Sequence, residues 1–138
     1  MKKIIFSIIL VLLLTGCSDI TKGYLEKTCE NTIYGDIDTY KKYKISFKEN
    51  KISKIILKEI YTFNKIELKE AVVIGLNDLK NNNIKGLEIK SLENKNSYEI
   101  EYIFNYNEID SNILKKYNLY EKYNDQKKYL ENIGYTCK

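Results

Sequence analysis

The chain contains no arginine, histidine, proline or tryptophan. Without histidine, a nucleophilic thiol lacks its usual base, and a Cys/His zinc site cannot form. Without arginine, bidentate contacts to bases are absent, and the 23 basic residues are lysines interleaved with acids. The six glycines do not form a phosphate-binding loop. The sequence therefore predicts neither an enzyme nor a nucleic-acid-binding protein, and we expect no cofactor and no metal.

The amino terminus has the layout of a secretory signal. Lys2 and Lys3 precede an eleven-residue, almost wholly apolar run over residues 4–14. This run is about half as long as a membrane-spanning helix, and small residues follow it, as in a cleavable signal peptide. The segment Leu14-Thr15-Gly16-Cys17 resembles the bacterial lipobox. That resemblance implies cleavage after Gly16 and attachment of diacylglycerol to Cys17.

Cleavage at this point gives a simple organisation of the chain. We expect a lipoprotein signal peptide over residues 1–16, a lipidated Cys17 with a polar tether to residue 27, and one domain over residues 28–138. Two acyl chains anchor a protein stably, so the membrane is the first expected partner. The expected location is the extracytoplasmic face of the cell membrane. An uncleaved N-terminal anchor helix is the alternative.

The three cysteines bear on the redox state of the domain. If Cys17 carries lipid, Cys29 and Cys137 remain, 108 positions apart. In an exported protein this even remainder predicts one disulfide, which would bring the two ends of the domain side by side. Two free thiols are the alternative, in a cell that lacks an oxidant.

The hydrophobic pattern predicts strands interrupted by two helices. Apolar residues alternate with polar ones over residues 43–47 and, most clearly, 98–106, and a longer apolar strand is expected over 52–63. One helix is expected after Asn64, with Asn64 as its cap, and another over 125–133 with Asn124 as its cap and Gly134 as its stop. Between them, Asp110 or Ser111 could cap a short turn of helix that reaches Tyr117. The resulting order, βββ-α-ββ-α-β, predicts an α+β fold, an antiparallel sheet with two helices packed on one face.

Several short segments carry a resemblance to a known family. The lipobox, Thr28-Cys29 before the first strands, "FNYNEIDSNILKKY" and the final "GYTCK" resemble the YehR-like small bacterial lipoproteins. The resemblance spans about residues 24 to 138. It implies an exported, lipid-anchored α+β domain of unknown biochemical function, and it brings no catalytic residues.

Tyrosines are concentrated in the C-terminal part of the chain. They are Tyr117, Tyr120, Tyr123, Tyr129 and Tyr135. Tyrosine suits contact surfaces because it is amphipathic, so Tyr117, Tyr120 and Tyr123 are a candidate contact surface for an envelope protein or a glycan. The alternative explanations are a composition rich in Lys, Ile, Asn and Tyr, as an A+T-rich genome produces, and ordinary half-burial of these side chains.

These observations favour a lipid-anchored binding or accessory module of the cell envelope with an unknown ligand. The alternative is an envelope-anchored inhibitor that protects against a secreted hydrolase. An enzyme would have to use carboxylate, lysine or tyrosine chemistry alone, and this is the least favoured class.

Overall fold

The computed structural model describes residues 23–80 and 83–138, so the predicted signal peptide and Cys17 lie outside the described residues. The strands are β1 (Leu25–Ile33), β2 (Ile37–Lys48), β3 (Lys51–Phe63), β4 (Leu87–Glu93), β5 (Ser97–Asn105) and β6 (Thr136–Cys137). The helices are α1 (Glu67–Lys80), α2 (Ser111–Lys116) and α3 (Tyr123–Asn132). Among the described residues, no helix is long and apolar enough to cross a membrane.

All six strands form one antiparallel sheet in the order β4-β5-β3-β2-β1-β6. Strands β2 and β3 form its centre and are joined by the two residues Glu49 and Asn50, both with positive φ. A two-residue turn of this kind matches the natural twist of a hairpin, and the β2–β3 register shifts by one residue between Ser46 and Phe47, close to the turn. The first strand begins at Leu25, so residues 25–27 extend it although the sequence assigned them to the tether.

The predicted fold class is wrong. The sequence analysis expected an α+β fold with two helices on one face in the order βββ-α-ββ-α-β, whereas the described residues form mainly an antiparallel sheet with three helices, ordered βββ-α-ββ-αα-β. The additional helix is α2, where the sequence analysis expected only a short helical turn; the side chain of Asp110 caps it and accepts a hydrogen bond from the backbone N of Asn112 at 2.7 Å. Strand β2 is also longer than predicted, with 12 residues in place of the alternating segment over 43–47.

The hydrophobic core lies on one face of the sheet. Cross-strand neighbours line up in rows, such as Tyr43, Leu57 and Tyr102. Partners in a row share a face, so alternate residues of β2, β3 and β5 point into the core. Leu114 of α2 and Leu130 of α3 are buried in the same cluster. Residues of α1 pack against it with partial burial; they are Leu68, Val72, Val73 and Leu76.

Two glycines of this fold predict opposite effects of the same substitution. A Cβ on Gly86 would lie 2.6 Å from the backbone N of Ile109, and Gly86 has a φ of +79°. Gly86→Ala should therefore lower the free energy of unfolding by about 2 kcal/mol. Gly75 lies in α1 with nothing within 4 Å of an added Cβ. Gly75→Ala should raise the same quantity by roughly 0.5–1 kcal/mol. Urea unfolding followed by circular dichroism measures both, and equal effects would contradict the Gly86 contact.

Candidate functional site: the Glu59 cluster

A carboxylate and an ammonium group face each other in the middle of the sheet. Glu59 of β3 and Lys41 of β2 are direct cross-strand partners on the core-facing side. Lys41 Nζ lies 2.7 Å from Glu59 Oε1, and the Tyr61 hydroxyl donates to Glu59 Oε2 at 2.6 Å. The Glu59 side chain is 9% exposed and that of Lys41 is 32% exposed. A nearly buried acid is thus neutralised by a lysine that still reaches solvent.

Tyrosines from several elements surround this ion pair. We call Lys41, Glu59 and their tyrosine neighbours the Glu59 cluster; the tyrosines are Tyr43, Tyr61, Tyr102, Tyr117 and Tyr135. Tyr43 and Tyr102 are buried and form the floor with Glu59, while the other three are partly exposed and form the rim. The cluster therefore lies at the surface of the core and is partly open to solvent.

Two of the five tyrosine hydroxyls in the cluster lack a protein partner among the described residues. Tyr61 bonds to Glu59, and a hydrogen bond between the side chains of Tyr43 and Tyr135 contributes to the pKa of both, whereas Tyr102 and Tyr117 make no side-chain hydrogen bond to another described residue. The only fully buried unpaired side-chain polar atom among the described residues is Nε2 of Gln126. The unpaired hydroxyls therefore reach solvent and can bond to a ligand.

Helix α3 places Tyr135 in the cluster through its C-terminal end. Gly134 has a φ of +94°, and its backbone N donates to Glu131 O at 3.1 Å. The backbone N of Tyr135 then donates to Leu130 O at 3.0 Å. This pair of bonds is the Schellman motif, which needs a residue such as glycine in the left-handed region. The predicted stop at Gly134 is confirmed, and it turns the chain back toward β1.

Burial and the charge of Glu59 keep the tyrosines of the cluster protonated. Burial, followed by the charge of Glu59, raises the pKa of Tyr135 to about 12. Burial is also the main cause that raises the pKa of the other four phenols above their ordinary value, with Glu59 adding to it. At neutral pH the cluster therefore presents neutral hydroxyl groups, which both donate and accept hydrogen bonds.

The raised phenol pKa values predict unfolding at alkaline pH. In the unfolded chain tyrosine loses its proton near pH 10, while in the folded chain it stays protonated to a higher pH. The unfolded state therefore binds fewer protons above pH 10, and stability should fall as the pH rises from about 10 toward 12. Phenolate absorbance and circular dichroism should change together. Complete phenolate formation, including the tyrosines of the cluster, while the circular dichroism stays native would contradict this result.

The structure separates the three tyrosines of the predicted contact surface. Tyr117 packs edge-on against Phe104, with ring centroids 5.1 Å apart, and belongs to the Glu59 cluster. Tyr123 stacks on Phe47 with ring centroids 4.0 Å apart. Tyr120 is 41% exposed and lines a surface cavity of about 380 Å³ beside α2. Contact of these tyrosines with a partner stays a prediction.

The two predicted disulfide cysteines are joined in the structure. Cys29 of β1 lies opposite Cys137 of β6, with Cα atoms 4.0 Å apart and sulfur atoms 1.99 Å apart. Thr28 and Lys138 beside them exchange two backbone hydrogen bonds, of 3.2 and 2.8 Å. The cysteines therefore occupy a non-hydrogen-bonded pair, the position where antiparallel side chains approach most closely.

The sequence analysis did not identify Lys41 or Glu59. The strand over 52–63 was interpreted as a continuous apolar strand, which hid the alternation of Ile55, Leu57 and Phe63. Alternate residues of a strand point to the same face, so Glu59 points inward with these residues. For the same reason Lys41 points inward with Tyr43. A charged residue at an inward position of each of two neighbouring strands was the signal that could have found the site.

Comparisons with known proteins indicate where this protein is located and which solved structure shares its fold. A profile of the prokaryotic membrane lipoprotein lipid attachment site matches residues 1–18, which include Cys17. No curated protein matches the chain. An NMR structure of a protein from Streptococcus pneumoniae TIGR4 is similar in fold, with 11% identity, a TM-score of 0.54, and coverage of 86% of this chain and 87% of that one. The attachment site makes this chain an exported bacterial lipoprotein, held in the cell envelope by its lipid.

Proposed function

We propose that this lipoprotein is a binding or accessory module on the extracytoplasmic face of the membrane, and that the Glu59 cluster binds an envelope glycan. Membership of the YehR-like small bacterial lipoproteins is part of this proposal. The observation that carries it is that the hydroxyls of Tyr102 and Tyr117 have no described protein partner and lie near a neutralised carboxylate. The inhibitor alternative gains no support from the described residues.

The chemistry of the cluster fits a saccharide. A sugar presents hydroxyl groups that donate and accept hydrogen bonds, and its C–H faces pack on aromatic rings. Tyr117 and Tyr135 supply partly exposed rings at the rim, and Lys41 and Glu59 supply polar groups fixed in direction by their 2.7 Å contact. Because the ion pair is internally neutral, the site favours a polar ligand without requiring a net charge.

A hydroxyl deletion tests the proposed site. Tyr117→Phe keeps the ring that packs on Phe104 and removes one hydrogen-bonding group. Its affinity for soluble peptidoglycan fragments, measured by calorimetry, should fall about 2- to 12-fold, the effect of one hydrogen bond. Tyr40→Phe is the matched control because the Tyr40 hydroxyl bonds to Glu30 at 2.9 Å on the opposite face. An equal loss in both variants, or no binding by the natural protein, would overturn the glycan proposal.

The identity of the lipidated residue is tested separately. Cys17→Ser should abolish incorporation of labelled fatty acid and leave an unprocessed precursor, because the attachment site supplies no other cysteine within residues 1–18. Mass spectrometry of the N-terminal peptide measures both. A variant that is still cleaved and acylated would show that Cys17 is not the attachment residue.

A further inference from the structure

The lipid anchor constrains which end of the domain lies near the membrane. Gly23, the first described residue, follows Cys17 by six residues. Six residues span at most roughly 20 Å, whatever conformation they adopt. Gly23 lies against the β2–β3 turn, since a Cβ on it would be 3.3 Å from Cε of Lys48. The turn between β2 and β3 is therefore the part of the domain that the anchor brings to the bilayer.

Three lysines lie side by side at this turn. Lys48 and Lys51 are direct cross-strand partners, and Lys51 also pairs with Lys122 through an isolated antiparallel bridge. All three are exposed, and among the described residues none has an acidic partner within 4.0 Å. Like charges directly opposite each other are destabilising. We call Lys48, Lys51 and Lys122 the lysine triad.

The backbone fixes the triad in place. The backbone N of Ile52 donates to Glu121 O at 2.9 Å, and that of Tyr123 donates to Asn50 O at 2.8 Å. These two bonds hold the segment before α3 against the start of β3, so the backbone keeps the Cα atoms of Lys51 and Lys122 next to each other. The arrangement keeps three like charges together at the end that carries the anchor.

We infer that the lysine triad binds the anionic phospholipid headgroups of the membrane that holds the lipid anchor. Lys48 and Lys51 line a cavity of about 510 Å³ together with Tyr24, which is 52% exposed. Lysines next to an anionic bilayer are attracted to it, and tyrosine suits the boundary between headgroups and water. Glu49 lies in the turn and opposes this attraction. Glu121 also borders the triad and contributes to the raised pKa of Tyr106.

This contact would orient the domain on the membrane. Glu59 lies eight residues along β3 from Lys51, which corresponds to about 26 Å of strand. With the lysine triad on the headgroups, the Glu59 cluster is held away from the bilayer. The inference depends on the lipid anchor and does not depend on what the Glu59 cluster binds.

Amine labelling of the full lipidated protein in vesicles tests the inference. Vesicles of neutral phosphatidylcholine are compared with vesicles that contain anionic phosphatidylglycerol, and the modified lysines are identified by mass spectrometry. Lys48, Lys51 and Lys122 should label about five-fold more slowly on the anionic vesicles. About 1 M salt should remove the difference, because it shortens the screening length to about 3 Å. Lys95, exposed in the opposite β4–β5 turn, is the internal control.

Variants distinguish protection that depends on the lysine triad from protection that any residue near the membrane would show. Lys48→Gln with Lys122→Gln should return the labelling of Lys51 to its rate on neutral vesicles, and Glu49→Gln should increase the protection. Equal labelling on both vesicle types overturns the inference. Protection by glycerol phosphate on neutral vesicles also overturns it, because the triad would then be a site for small anions. Tyr117→Phe should leave the labelling unchanged, so this test and the glycan test fail independently.

Discussion

Reduction of the Cys29–Cys137 disulfide should lower the free energy of unfolding by about 4 kcal/mol. The bond closes a loop of 108 residues, and in the chain-entropy account a loop of this size restricts the unfolded state strongly. Strand β6 has only two residues and pairs with β1 alone, so little else holds the C-terminus in place. Urea unfolding of the lipoprotein in detergent, with and without a phosphine reductant, measures the difference.

A double variant provides the control for this result. Cys29→Ala with Cys137→Ala should show a similar loss of stability, and the reductant should have no further effect on it. Cys29 is fully buried, so its replacement by alanine also removes a buried sulfur atom and adds a packing cost of about 1 kcal/mol to the loss. A loss below about 1 kcal/mol under reduction would show that the pairing of β1 and β6 does not depend on the bond.

The disulfide also links the stability of the fold to the Glu59 cluster. Tyr135 lies two residues before Cys137, and its ring packs edge-on against Tyr43 with centroids 5.4 Å apart. Release of β6 should expose Tyr135, and its pKa should then fall from about 12 toward the ordinary value near 10. Phenolate absorbance during reduction can therefore report on the rim of the site.

Local signals in the sequence were sufficient for several elements. Alternation placed β5 to within one residue of its observed bounds, and the apolar run over 52–63 matched β3 almost completely. Gly134 marked the end of the last helix because no other residue type adopts its φ as readily. The pairing of Cys29 and Cys137 followed from export and from the count of the remaining cysteines.

Other features depend on contacts between distant residues, and a local pattern does not reveal them. Asn124 was the predicted cap of the last helix, yet α3 begins at Tyr123, and Asn50 Oδ1 accepts from the backbone N of Asn124 at 2.8 Å. Asn64 was the predicted cap of α1, but its side chain donates to Gly35 O at 2.8 Å. In both cases tertiary hydrogen bonds replace the local capping pattern.

The Glu59 cluster shows the same limit for a site. Its residues come from β2, β3, β5, the end of α2 and the segment before β6, so the pairing of strands creates it. Of the tyrosines singled out in the sequence, Tyr117 and Tyr135 belong to it, whereas Tyr43, Tyr61 and Tyr102 were interpreted as strand residues. Their shared surroundings follow from cross-strand register, which was not predicted.

Lys41→Met should lower the free energy of unfolding by about 3 kcal/mol at neutral pH. The substitution keeps a side chain of similar length and leaves the Glu59 carboxylate, 9% exposed, without its counter-ion. Removal of one partner from a buried pair is strongly destabilising because the remaining charge has neither water nor an opposite charge. Glu59→Met should cost less, about 1 kcal/mol, because the side chain of Lys41 is 32% exposed and can turn to water. Urea unfolding of both variants measures this asymmetry.

The double variant Lys41→Met with Glu59→Met distinguishes a structural role of the ion pair from a binding role. Two apolar residues of similar volume can replace a buried pair with little change in stability, so the double variant should unfold within about 1 kcal/mol of the natural protein. A loss as large as the sum of the single effects would contradict this coupling. If the double variant is stable but no longer binds peptidoglycan fragments, the fold does not need the pair. The position of the Lys41–Glu59 pair among the tyrosines is then explained by ligand binding. An apolar pair at the same positions would leave the stability of the fold unchanged.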